Sequence, residues 1–108
     1  MVTLFNNKEI RIIQATQFNE KYGGLESLLY TKIALNILKK HPVDMLVFEM
    51  TDNGFQQVRL AGYDFNTGEL DETSVVYKVK SLETETFWFK VDDYGEYYVG
   101  TFLMMGEY

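Results

Sequence analysis

After Pro42, the only proline in 108 residues, apolar side chains recur at every second position through most of the remaining chain. Alternation places successive side chains on opposite sides of a strand, so this part of the molecule must build a sheet with one buried and one solvated face. Met45 to Met50 is an apolar run broken only by Glu49, and Thr51-Asp52-Asn53-Gly54 supplies turn chemistry after it. Phe55 to Phe65 reads as a strand with an irregularity at Gly62, turned back by Asn66-Thr67-Gly68. Val75, Tyr77 and Val79 alternate with Lys78 and Lys80, and Phe87, Phe89 and Val91 alternate with Trp88 and Lys90. Asp92-Asp93-Tyr94-Gly95 then turns the chain into a last strand from Glu96 to Met105. The pattern predicts five strands in a meander.

Upstream of Pro42 the period changes to that of a helix. The predicted segment runs from Leu25 to Lys40, starting after Gly23-Gly24 and ending before Pro42, which cannot continue a helix. Glu26 near its start and Lys39, Lys40 and His41 near its end suit the helix dipole. Tyr30, Ile33, Ala34, Ile37 and Leu38 share an apolar face, Lys32, Asn36 and Lys39 a polar stripe, and Leu28 and Leu35 flank that stripe. Thr3 to Phe5 and Glu9 to Gln14 read as a short hairpin around Asn6 and Asn7, followed by a helical turn near Gln17 to Tyr22. The expected fold is α+β: one domain over residues 1–108, with one principal helix on an antiparallel sheet of about five strands and an additional N-terminal hairpin.

Composition excludes several classes of function. Without cysteine there are no disulfides, thiolate metal sites or cysteine nucleophiles. The single histidine, His41, lies at a helix end, too few nitrogen ligands for zinc and poorly placed for a Ser-His-Asp relay. No phosphate-binding glycine loop follows Gly23-Gly24. Asp92, Asp93 and Glu96 around Gly95 lack the ligand spacing of a calcium-binding loop, so they read as a turn. No cofactor, metal or catalytic residue is therefore expected. The first residues lack a basic segment followed by an apolar stretch, and no segment approaches the roughly 20 apolar residues that span a bilayer, so a cytoplasmic protein is expected. Gln56-Gln57-Val58-Arg59-Leu60 has leucine where the inhibitory hairpin of cystatins, Gln-x-Val-x-Gly, requires glycine, so that reading fails.

The net charge of −6 disfavours direct binding to nucleic acid, and it is unevenly spread. Residues 1–43 carry +3, whereas residues 44–108, with thirteen acidic and four basic side chains, carry −9. Asp64, Glu69, Asp71 and Glu72 bracket one turn, and Glu83 and Glu85 follow the lysine-bearing strand. Asp92, Asp93 and Glu96 accompany Tyr94, Tyr97 and Tyr98 in the last hairpin, with Glu107 and Tyr108 beyond it. On an extended strand, Glu69 with Asp71 and Glu83 with Glu85 would stand about 6.6 Å apart on one face, a spacing of the order of successive nucleic-acid phosphates. These features predict a non-enzymatic protein-binding module whose carboxylates enter the basic groove of a partner while its tyrosines anchor the contact. The specific expectation is an acidic mimic of nucleic acid that inhibits a nucleic-acid-handling enzyme, a nuclease or another, as mobile elements and phages use against restriction or CRISPR enzymes. The alternatives are an assembly protein that forms a homodimer through Leu28 and Leu35 or through the exposed edge of the last strand, and a small-ligand protein or enzyme with a pocket between helix and sheet.

Overall fold

The computed structural model describes residues 2–81 and 85–107. In chain order the elements are β1 (Leu4–Phe5), β2 (Lys8–Gln14), α1 (Thr16–Tyr22), α2 (Leu25–Lys40), β3 (Met45–Met50), β4 (Phe55–Leu60), β5 (Gly62–Tyr63), β6 (Leu70–Asp71), β7 (Val75–Lys80), β8 (Phe87–Asp93) and β9 (Tyr98–Met104), then a 3-10 turn over Met105–Glu107. Seven strands form one curled sheet in the order β1-β2-β9-β8-β3-β4-β7, and β5 pairs with β6 in a separate ribbon. Strand accounts for 46% of the described residues.

This overturns the expectation of one helix on a five-stranded antiparallel meander. The N-terminal hairpin is an integral part of the sheet: β2 lies parallel to β9, with Ile10 opposite Tyr98 and Ile12 opposite Gly100. A lone two-stranded hairpin is marginal in water, and docking on β9 gives the apolar face of β2 somewhere to bury. Asn6 and Asn7 turn it with φ of 52° and 68°, as a tight two-residue hairpin turn requires. The helical turn after it is a second helix, α1.

The meander also fails between β7 and β8. Strand β3 pairs with β4 on one side and with β8 on the other, so β3, β4, β7 and β8 form a Greek key in the spatial order β8-β3-β4-β7. The apolarity of β3 explains its interior place. Leu46 and Phe48 face the main core while Val47, on the opposite face, is also buried. A strand apolar on both faces is stable only inside a sheet, whereas β7, with Lys78 and Lys80, tolerates an edge.

Both helices cover the core face of the sheet. Tyr30, Ala34, Ile37 and Leu38 of α2 are buried, with Ile33 packed against them, so the predicted apolar face is the one used. Phe18 and Tyr22 of α1 meet Phe87 and Phe102 in a run of ring contacts that continues through Tyr30, Phe48 and Phe89. Each such pair adds about 0.5–1.5 kcal/mol beyond burial of area. Gly100 in β9 is required here, because a side chain at that position would overlap the ring of Phe89. The core thus absorbs Phe5, Phe18, Phe48, Phe87, Phe89, Phe102, Tyr22, Tyr30 and Tyr98, which removes most of the aromatic surplus from the surface.

The N-terminus of α1 lacks a capping side chain of its own. Glu107 supplies it from ninety residues along the chain, accepting the N–H of Gln17 at 2.7 Å and of Phe18 at 3.1 Å. The same carboxylate accepts the N–H of Met104 at 2.9 Å.

Candidate functional site

The antiparallel directions of β3, β4, β8 and β9 bring the ends of β4 and β8 and the starts of β3 and β9 to one end of the sheet. The β5–β6 ribbon folds onto that end. Asp64 bridges Val43, the Asp44 N–H donates to the Tyr63 carbonyl at 3.0 Å, and the Phe65 N–H donates to the Pro42 carbonyl at 2.8 Å. Phe65 also packs against Phe5 and Tyr98, with ring centroids 5.9 and 5.1 Å away. Asp64, Glu69, Asp71 and Glu72 of the ribbon thus lie at the same end of the sheet as Asp92, Asp93 and Glu96 of the last hairpin, with Asp64, Glu69 and Asp71 bordering a concavity shared with Lys40 and His41. Asp44 joins them; the chain reading missed it because it stands alone in sequence. Its carboxylate accepts the Tyr63 N–H at 2.8 Å, and a side chain at Gly62 would overlap it, which is the physical content of the irregularity at that glycine.

Most of these carboxylates are committed to the chain itself. Asp64 accepts the N–H groups of Asn66 and Thr67. Asp71 accepts the N–H of Ser74, the Ser74 hydroxyl and the N–H of Thr73, which together hold its carboxyl below the usual carboxylate range. Asp93 accepts from Lys8 Nζ at 2.7 Å and from the Gly95 N–H, and those bonds lower its pKa. Asp92 lies 3.6 Å from Lys90 Nζ. The carboxylates of Glu69, Glu72 and Glu96 have no partner among the described residues and face solvent. They are the part of the cluster free to meet another molecule.

Other predicted contacts fall elsewhere. Glu85 sits at the opposite end of the sheet, paired with Lys21 of α1. Glu83 and Tyr108 lie outside the described residues. Glu69 precedes β6, and the Asp71 carboxylate is turned into its own loop, so the two do not form a row on one strand. Tyr98 is buried, accepts a hydrogen bond from Asn6 at 2.9 Å on its hydroxyl and belongs to the core, so it is no partner contact. Tyr94 is exposed, and Tyr97, half-buried beside it, carries the Arg11 guanidinium 3.7 Å above its ring. Arg11 also donates to Glu9. Leu28 is exposed together with Leu25 and Leu29, whereas Leu35 is half-buried and packs against the core.

The described residues hold two larger concavities. One, of about 570 Å³, lies between α1 and the residues following β9, walled by the Lys21–Glu85 pair. The other, of about 600 Å³, runs between α2 and β7. Among the described residues no three His, Asp or Glu side chains come together in a metal-binding arrangement, and no helix is long and apolar enough to cross a membrane. Comparison with protein-family models, with curated proteins and with solved structures finds no match to this chain.

Proposed function

We propose that this chain is a non-enzymatic binding protein whose acidic end docks on a basic groove of a protein partner, as an inhibitor of a nucleic-acid-handling enzyme would. The observation that supports this reading is the convergence of two acidic segments, distant in sequence, at one end of the sheet around the Phe5, Phe65 and Tyr98 rings. Glu69, Glu72 and Glu96 supply free charge, and the engaged carboxylates of Asp64, Asp71 and Asp93 hold their loops in place. Tyr94 offers a rigid aromatic contact beside them. Charge complementarity of this kind steers association and weakens with salt.

The test compares wild-type protein with E69K/E72K/E96K as bait in bacterial lysate at 50 and 500 mM NaCl. The expected result is retention of a DNA- or RNA-processing enzyme by the wild type at low salt only, and its loss in the triple variant. Retention that ignores both salt and the three substitutions, or no retained enzyme at all, overturns the reading.

A further inference from the structure

The basic side chains divide cleanly. Lys8, Arg11, Lys21, Arg59 and Lys90 each lie against a carboxylate. The other five, Lys32, Lys39 and Lys40 on α2 and Lys78 and Lys80 on β7, form no ion pair among the described residues. A protein of net charge −6 therefore concentrates its unneutralised cations on one helix and one strand.

That strand is also an open edge. β7 pairs with β4 along one side, and no described strand pairs with its other side. The opposite edge of the sheet, β1, is only two residues long. β7 runs for six residues and exposes Val75, Tyr77 and Val79 at 49%, 36% and 38%. Beside it lies the groove toward α2, with Ile33, Ile37, Val76 and Tyr77 among its walls and Lys32 and Lys40 also lining it. The register puts Tyr77 opposite Val58 on the core face, and Lys78 and Lys80 opposite Gln57 and Phe55 on the outer face.

We propose that β7 and this groove bind an extended peptide segment of another protein, in which apolar and acidic residues alternate, by adding it to the sheet as an eighth strand. The backbone ladder of β7 supplies the hydrogen bonds of strand addition. Alternate apolar side chains of the peptide cover Tyr77, Val79 and the groove, while its carboxylates, one residue out of phase, reach Lys78 and Lys80 on the outer face. A second copy of this chain is a poor occupant, because pairing β7 with itself brings the lysines of both copies together. Nucleic acid would meet the lysines but cannot use the strand edge or the apolar groove. This inference is independent of the acidic end.

The experiment uses fluorescein-labelled (Val-Glu)4 and (Val-Lys)4 with the full chain at 50 mM NaCl, read by anisotropy and by amide hydrogen exchange. The wild type should bind (Val-Glu)4 at least about tenfold more tightly than (Val-Lys)4, with added protection in β7. K78E/K80E should reverse that preference, a gain of binding that loss of folding cannot produce, and E69K/E72K/E96K should leave (Val-Glu)4 binding unchanged. Equal affinity for both peptides, protection confined to other strands, displacement of (Val-Glu)4 by a 20-nucleotide single-stranded DNA, or protection of β7 by raising the protein concentration alone would each overturn the proposal.

Discussion

The acidic end of the sheet and the β7 edge both carry surplus charge, and they hold it in different ways. At the acidic end most carboxylates have internal work: Asp64 and Asp71 close turns, and Asp93 joins Lys8 to the Gly95 turn. Along α2 and β7 the lysines form no ion pair among the described residues, and only Lys78 makes a ring contact, with Nζ 5.3 Å from the centre of the Phe55 ring. A charge cluster in a sequence becomes a binding surface only after the charges consumed by the fold are subtracted. By that measure the lysine edge is the more available of the two, although the chain is acidic and its negative segments are the more conspicuous on paper.

The most severe way to break this comparison is to remove the core that holds both regions in register. Phe87 is fully buried and contacts Phe18, Tyr22, Tyr30 and Phe48, so Phe87→Ala should cost about 3–5 kcal/mol and destroy both surfaces together. Urea denaturation checks the loss, which is a large part of the roughly 5–15 kcal/mol available to a domain.

A smaller effect separates carboxylates that hold the chain from those that do not. Burial raises the Glu107 pKa, but the N–H groups of Met104, Gln17 and Phe18 outweigh it and hold the carboxyl below its usual value. Asp71 and Asp93 are also lowered, by the Ser74 and Lys8 bonds foremost. Groups with depressed folded-state pKa bind fewer protons folded than unfolded, so their contribution is complete above about pH 4 and fades as pH falls through the folded values. Glu107→Gln should lower the thermal midpoint by about 4–8 °C at pH 7 and flatten the fall in stability between pH 5 and pH 2. An unchanged acid profile would remove Glu107 from the set of structural carboxylates.

The smallest expected effect is on the free charges. E69K/E72K/E96K and K78E/K80E should each shift the thermal midpoint by less than about 2 °C, since surface substitutions away from caps, cores and paired charges change stability little. A larger shift in either variant would show that its residues serve the fold, and would erase the distinction between the two regions.

Much of the local structure is legible in the chain. Gly23-Gly24, the charges of the first and last turns and Pro42 bound α2, and the alternation of Phe87, Phe89 and Val91 marks β8. Alternation tells which face a side chain occupies; it does not say which strand lies alongside. That is why the parallel pairing of β2 with β9 and the return of β8 to β3 are absent from a reading by period alone. The acidic segments at 64–72 and 92–96 are visible as composition, but their commitments depend on turn geometry. Lys8, which engages Asp93, comes from the far end of the sequence. The helix stripe of Lys32 and Lys39 and the strand pair Lys78 and Lys80 are equally visible, yet their association with one open edge depends on strand order.

The bond between Glu107 and the first turn of α1 has a consequence for the order in which the molecule can be made. On the ribosome, β2 and α1 emerge well before β9, the strand that pairs with β2 on the side away from β1, and before the carboxylate that completes α1, both of which arrive only with residues 98–107. Contacts of such long sequence separation form late and slowly. Residues 8–22 must therefore wait unfinished, exposing Ile10, Ile12 and Phe18, until residues 98–107 have been synthesised.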